Sequence, residues 1–222
     1  MKKFLSLKTT LLGLGCAAAL NVFGFTPLRP VPAELGNLPL YFETHPDPTS
    51  GPVQFLTRGC NYQFLLSPTA VQISLGKTGV KPAEVRMHFA GANPGAQISG
   101  DTELPGKINY LIGNNPAKWH TGVATFARVR VERLYPAINL VYYGNQRQLE
   151  YDFTVAPGAN PDAIRIHFDG VDKISIGPQE ELILAVGGSE IRQPAPVIYQ
   201  TLHGQHQAVT GRYRLVDAHT IA

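Results

Sequence analysis

An all-β fold, an antiparallel β-sandwich with many short strands and little helix, is what this sequence predicts, on three observations. Apolar residues recur at every second position from residue 52 onward, turn-forming pairs interrupt them at short intervals, and no long stretch carries a 3.6-residue period. A period of two puts one face of each strand in a core and the other toward water. The 22 glycines and 18 prolines among 222 residues supply the turns. With 44% hydrophobic and 16% charged residues, the chain is too apolar for disorder and long enough for a full core.

Taken in order, short apolar runs at 53–58, 62–67 and 70–75 read as the opening strands. At 84–90, Val85, Met87 and Phe89 alternate with Arg86 and His88. Asn93-Pro94 and Pro105-Gly106 then mark turns, followed by a strand at 107–112. Asn115-Pro116 starts a helical turn over 115–119, with the Pro at its first position after an Asn cap. Strand 122–134 alternates Val129 and Val131 with Arg128, Arg130 and Glu132, and 138–144 follows. In 147–155, Leu149, Tyr151, Phe153 and Val155 alternate with Glu150, Asp152 and Thr154. The stretch from Val141 to Ile164 therefore reads mainly as an architectural hairpin, closed by Pro157-Gly158 and a second helical turn at 160–164. Strands at 163–168, 172–176, 181–186 and 190–193 come next, with Gly187-Gly188 as a turn. A last hairpin pairs 196–202 with 207–216 around Gly204-Gln205, and its open carboxy-terminal edge favours self-association.

The amino terminus is of another kind. "MKKFLSLKTTLLGLGCAAALNVFGF" is a short basic region followed by an apolar run, the pattern of a secretory signal peptide over 1–33. Cleavage is expected near Ala33, alternatively at Ala19, leaving one β-sandwich domain over 34–222 that is secreted to the extracellular space or cell surface. Cys16 lacks the preceding sequence that a lipid anchor needs. No later run is long enough for a membrane span. Lys2, Lys3, Lys8 and Arg29 all precede the first acidic residue, Glu34, so removal of 1–33 leaves 15 basic against 16 acidic groups. A near-neutral protein has no field to attract nucleic acid. Cys60 remains as a single mature cysteine, which excludes an intrachain disulfide or a thiolate metal cluster.

Several segments carry a family resemblance: "LPLYFETH", "VQFLTRG", "HFAGANPGAQISGDTELPGKINYLIGNNPAKWHTGV", "FARVRVERLYPAINLVYYGNQRQLEYDFTVAPGANPDAIRIHFDG" and "GSEIRQPAPVIYQ". Together they resemble the N-terminal β-rich domain, of unknown function, of bacterial secreted proteins with SBBP (seven-bladed β-propeller) repeats. The resemblance covers roughly 38–216. It implies a non-enzymatic structural or interaction module of the cell surface, placed ahead of propeller repeats in longer relatives. It brings no catalytic residues and no cofactor. The chain departs from that pattern in "THPDPTSG" after "YFE", and the domain over 34–222 is expected to be the N-terminal module of a longer propeller-type protein.

Two alternative functions draw on particular residues. A carbohydrate-binding module would use Trp119, Tyr142, Tyr143, Asn145 and Asp152, since flat rings near a loop stack on sugars while amides and carboxylates bond their hydroxyls. The bland alternative has Trp119 capping the core and one of the two tyrosines pointing inward, because strand neighbours face opposite ways. A glycosidase-like enzyme would use Glu150 and Asp152, roughly 7 Å apart on one strand face, within the range of paired glycosidase carboxylates. A solvated or ion-paired face, with Arg147 as partner, is the simpler reading. His203 and His206 bracket a turn but make only two ligands, so no metal site is expected. The partners expected are an extracellular glycan or protein.

Overall fold

The computed structural model describes residues 4–11, 40–45, 51–59, 62–76, 82–145 and 148–222. In chain order the strands are β1 (Phe4–Leu11), β2 (Phe42–Thr44), β3 (Phe55–Arg58), β4 (Tyr62–Leu66), β5 (Ala70–Leu75), β6 (Ala83–Phe89), β7 (Gln97–Tyr110), β8 (His120–Tyr135) and β9 (Ile138–Asn145). They continue as β10 (Gln148–Val155), β11 (Ile166–Asp169), β12 (Lys173–Ile176), β13 (Leu182–Val186), β14 (Ser189–Gln193), β15 (Val197–Leu202), β16 (Gln205–Val209) and β17 (Thr220–Ile221). Strands dominate the described residues, so the all-β class holds. Among the described residues there is no α-helix, and none long and apolar enough to cross a membrane.

The sandwich needs correcting. One 14-stranded antiparallel sheet runs β16-β15-β1-β10-β9-β8-β2-β3-β4-β5-β6-β11-β17, with β7 also on β8, and curls into a half-barrel. A small sheet, β12-β13-β14, stands beside it. Continuity comes from β8, whose 16 residues outrun any one partner. It pairs with β7 along most of its length, with β9 from Arg128 to Tyr135, and with β2 at Thr125 and Phe126. A sandwich would break into two sheets at this point; here the long strand carries the ladder across. Register shifts between Glu103 and Lys107, and between Val131 and Tyr135, bend it. The curl sets β6 against β10, where the Phe89 and Phe153 rings meet edge-on at 5.7 Å.

The predicted alternation holds where it was clearest. Val85, Met87, Phe89, Val129, Val131, Leu149, Tyr151, Phe153, Val155, Ile164, Ile166 and Phe168 are all buried. Both helical turns form as single 3-10 turns, Pro116–Lys118 and Pro161–Ala163, with Asn115 and Asn160 side chains accepting from Ala117 and Asp162 backbone N–H groups at 3.0 Å. The last hairpin turns on His203-Gly204, both at positive φ, with Leu202 opposite Gln205.

Three boundaries differ. The strand expected at 107–112 is the tail of β7, which begins at Gln97 and takes Pro105-Gly106 into a bulge, where a missing N–H is tolerated. The strand expected over 207–216 stops at Val209. Beyond it the chain folds back: Arg214 and Ala222 exchange backbone hydrogen bonds at 2.8 and 2.9 Å, and β17 pairs with β11. Asp217 holds that return by accepting the His219 backbone N–H at 2.8 Å, which also lowers its carboxyl pKa. Third, residues of the expected leader form β1, in register with β10 and β15. Ala19, Ala33, Cys16, Cys60 and Arg147 lie outside the described residues.

Candidate functional site

The polar ledge of the β9–β10 hairpin holds three of the five residues singled out for sugar binding. On antiparallel neighbours, diagonal side chains of one face lie within reach. Tyr143 Oη donates to Asp152 Oδ1 at 3.0 Å, and Asn145 Nδ2 donates to Glu150 Oε1 at 2.8 Å. The solvated face expected for the two carboxylates is corrected: Glu150 is 8% and Asp152 9% exposed. Each carboxylate is bonded to a side chain of the neighbouring strand β9, and β1 runs along the other side of β10. Burial, then the charge of Asp152 and the hydrogen bonds to Glu150 and Asp152, push the Tyr143 phenol far above its ordinary range. Tyr143 is therefore a fixed donor at neutral pH.

Tyr142 and Trp119 lie elsewhere. Tyr142 faces the opposite side from Tyr143 and is fully buried, its ring 6.3 Å from Tyr151. Its hydroxyl has no hydrogen-bond partner among the described residues, and burial raises its pKa. Trp119 follows the first 3-10 turn, 37% exposed, with its indole N–H bonded to Gly113 O at 3.1 Å. It precedes by nine residues Arg128, the partner of Tyr143, a path of about 30 Å along a strand. The five do not form one surface.

A second polar cluster escaped the sequence reading. Glu43 on β2 is 1% exposed, with Arg58 Nη2 of β3 at 3.2 Å. Tyr110 at the end of β7 donates to Glu43, and the Arg58 guanidinium lies 5.1 Å from its ring centre. A signal existed in Glu43, set beside Phe42 in an apolar run. Its partners are 15 and 67 positions away and become visible only once strands pair. Burial, the bond to Glu43 and its charge push the Tyr110 phenol up to about 12. Because the folded value exceeds the ordinary 10.0, Tyr110 contributes stability that is fully present below that pH and is lost as pH rises toward 12. Thermal melts from about pH 9 to about pH 12 should show a smaller loss for Tyr110→Phe than for the parent. Equal slopes would exclude this linkage.

On the outer face of β6 and β11, Asp169 lies 3.4 Å from His88 Nδ1 and 3.3 Å from His167 Nε2. Among the described residues no group of three or more His, Cys, Asp or Glu side chains is arranged to hold a metal ion.

An apolar cleft of about 280 Å³ opens beneath β10 and β15, against the returning carboxy-terminal segment. Tyr151, Phe153, Ile164, Ile198 and Tyr213 line it, with Arg212 and Arg214 among its polar residues. The buried Gln193 amide fixes two of its walls, donating to Tyr151 Oη at 2.9 Å and Tyr213 Oη at 2.6 Å, while Tyr213 donates to Pro194 O at 3.1 Å.

Fold and site define a class: an all-β antiparallel domain whose polar residues are locked into its sheet beside an apolar cleft. Comparison with known families places the chain more narrowly. It belongs to the family described as Domain of unknown function (DUF7948), which matches residues 42–222. No curated protein and no solved structure matches it.

Proposed function

We propose that the domain is a secreted, non-enzymatic interaction module that holds other polypeptides at a bacterial cell surface, ahead of propeller repeats in longer relatives. One observation carries this reading: side chains suited to chemistry are buried and mutually bonded, whereas among the described residues no strand pairs with the outer edge of β16. Glu150 and Asp152 are spent on Asn145 and Tyr143, which disfavours a glycosidase. The scatter of Trp119, Tyr142 and Tyr143 disfavours a sugar platform. The leader-like amino terminus supports export.

The edge makes the reading testable. Leu202 and Gln205 close a two-residue turn, so the ladder alternates from there and the Ala208 backbone points outward. A second copy of β16 can pair with it. Ala208→Pro removes an outward donor without touching the bonds to β15. Sedimentation velocity of the full chain should show concentration-dependent association that Ala208→Pro abolishes. A clean monomer at high concentration, or association unaffected by the proline, would count against the edge as a docking surface.

A further inference from the structure

Resting on that reading, we infer that the gap between β10 and β15 is an acceptor site for an extended strand of another polypeptide, apolar at alternate positions and basic at the one facing Asp152. In the described chain β1 fills this gap. Residues Leu5–Leu11 pair antiparallel with Val155–Leu149 of β10, and Phe4–Lys8 with Thr201–Val197 of β15. Among the described strands, the sheet order joins β15 to the larger part through β1 alone. Since β1 is antiparallel to both, β10 and β15 run parallel, two strand spacings or about 9–10 Å apart. That is the width of one strand.

The seated strand is made of residues with the sequence of an export leader. Cleavage at either Ala33 or Ala19 removes 4–11 and leaves two facing rows of backbone N–H and C=O groups with no ladder between them. Unpaired groups of this kind recruit a replacement strand. Main-chain bonds would supply affinity, and alternate side chains specificity.

The specificity is readable from the register. Leu5, Leu7, Thr9 and Leu11 occupy positions opposite Val155, Phe153, Tyr151 and Leu149, all core residues. The cleft shares Tyr151, Phe153, Val155 and Ile198 with the walls of the gap, so one continuous apolar surface lines both. Lys8 stands opposite Asp152, whose carboxylate is 9% exposed. A cation at that register position matches the charge, and an anion there opposes it.

The test uses the full chain with a protease site inserted within residues 12–33, cut after folding. A fluorescent peptide, KKFLSLKTTL (residues 2–11), serves as the probe. The cut chain should take it up saturably while the uncut chain does not, and hydrogen exchange along β10 and β15 should slow on binding. The Lys8→Glu peptide should bind at least about 10-fold more weakly, and a scrambled peptide should not bind. If cutting unfolds the chain, restoration by the peptide supports the site and failure to restore overturns it. Equal binding of the scrambled peptide also overturns it, as does a folded cut chain that takes up none or whose β15 pairs directly with β10. Sedimentation of Ala208→Pro reads the β16 edge alone, so the two proposals fail separately.

Discussion

Phe153→Ala should lower the unfolding free energy by about 3–5 kcal/mol, as for other large buried rings truncated in a well-packed core. The side chain is fully buried, and its ring meets Phe89 edge-on at 5.7 Å and Tyr151 at 5.9 Å. Those two partners belong to opposite sides of the curled sheet, so the cavity would open where the curl closes and neither side could relax into it cheaply. Urea melts measure the loss. A shift of midpoint with an unchanged slope is expected, because the unfolded surface barely changes. Tyr142→Phe is the natural contrast: it removes a buried hydroxyl with no partner among the described residues, and stability should stay level or rise. A cost below about 1 kcal/mol for Phe153→Ala would show that the site collapses, contrary to a rigid closure.

Gly170→Ala should cost about 2–4 kcal/mol, from two effects that act together. The residue follows β11 at φ +81, a left-handed conformation that side chains disfavour, and an added Cβ would press on the backbone carbonyl oxygen of Glu84. A carbonyl in a paired strand cannot swing aside as a flexible side chain would. Gly158 separates the two effects. It has φ +83 but open space around the Cβ position, so Gly158→Ala should cost only about 1 kcal/mol. Equal losses at the two positions would mean that the Glu84 contact is irrelevant.

Much of the fold was legible because most strands keep one face wet. Wherever Arg, His or Glu alternates with Val or Phe, as in 85–89 and 128–132, the burial follows the letters. The alternation failed where a strand has partners on both sides and cover on both faces. On β10 every residue from Leu149 to Phe153 is buried, so Glu150 and Asp152 look solvated in sequence and are not. Turn chemistry misled once, at Pro105-Gly106, since the same dipeptide serves a turn or a bulge and only the partner strand decides. Sheet order was out of reach for a similar reason. Nothing within 120–135 announces that β8 serves three partners, and that single fact turns a sandwich into a curl. The candidate site was half legible: Tyr143, Asn145 and Asp152 are local to one hairpin, whereas Glu43, Arg58 and Tyr110 meet only through long-range pairing.

The order of the ladder also governs when the molecule can fold. β1 bonds to strands near residues 150 and 200, β2 to the middle of β8, and β17 to β11 some fifty residues earlier. Pairings between such distant segments must overcome loop-closure entropy before any contact rewards them, which places antiparallel domains of this kind in the slow, millisecond-to-second regime. The last residues, Thr220 to Ala222, close the outer side of β11 and the return at Arg214. Local hairpins such as β3–β4–β5 and β8–β9–β10 can therefore form early, while β1, β2 and β17 must wait for distant partners, so the curl closes last.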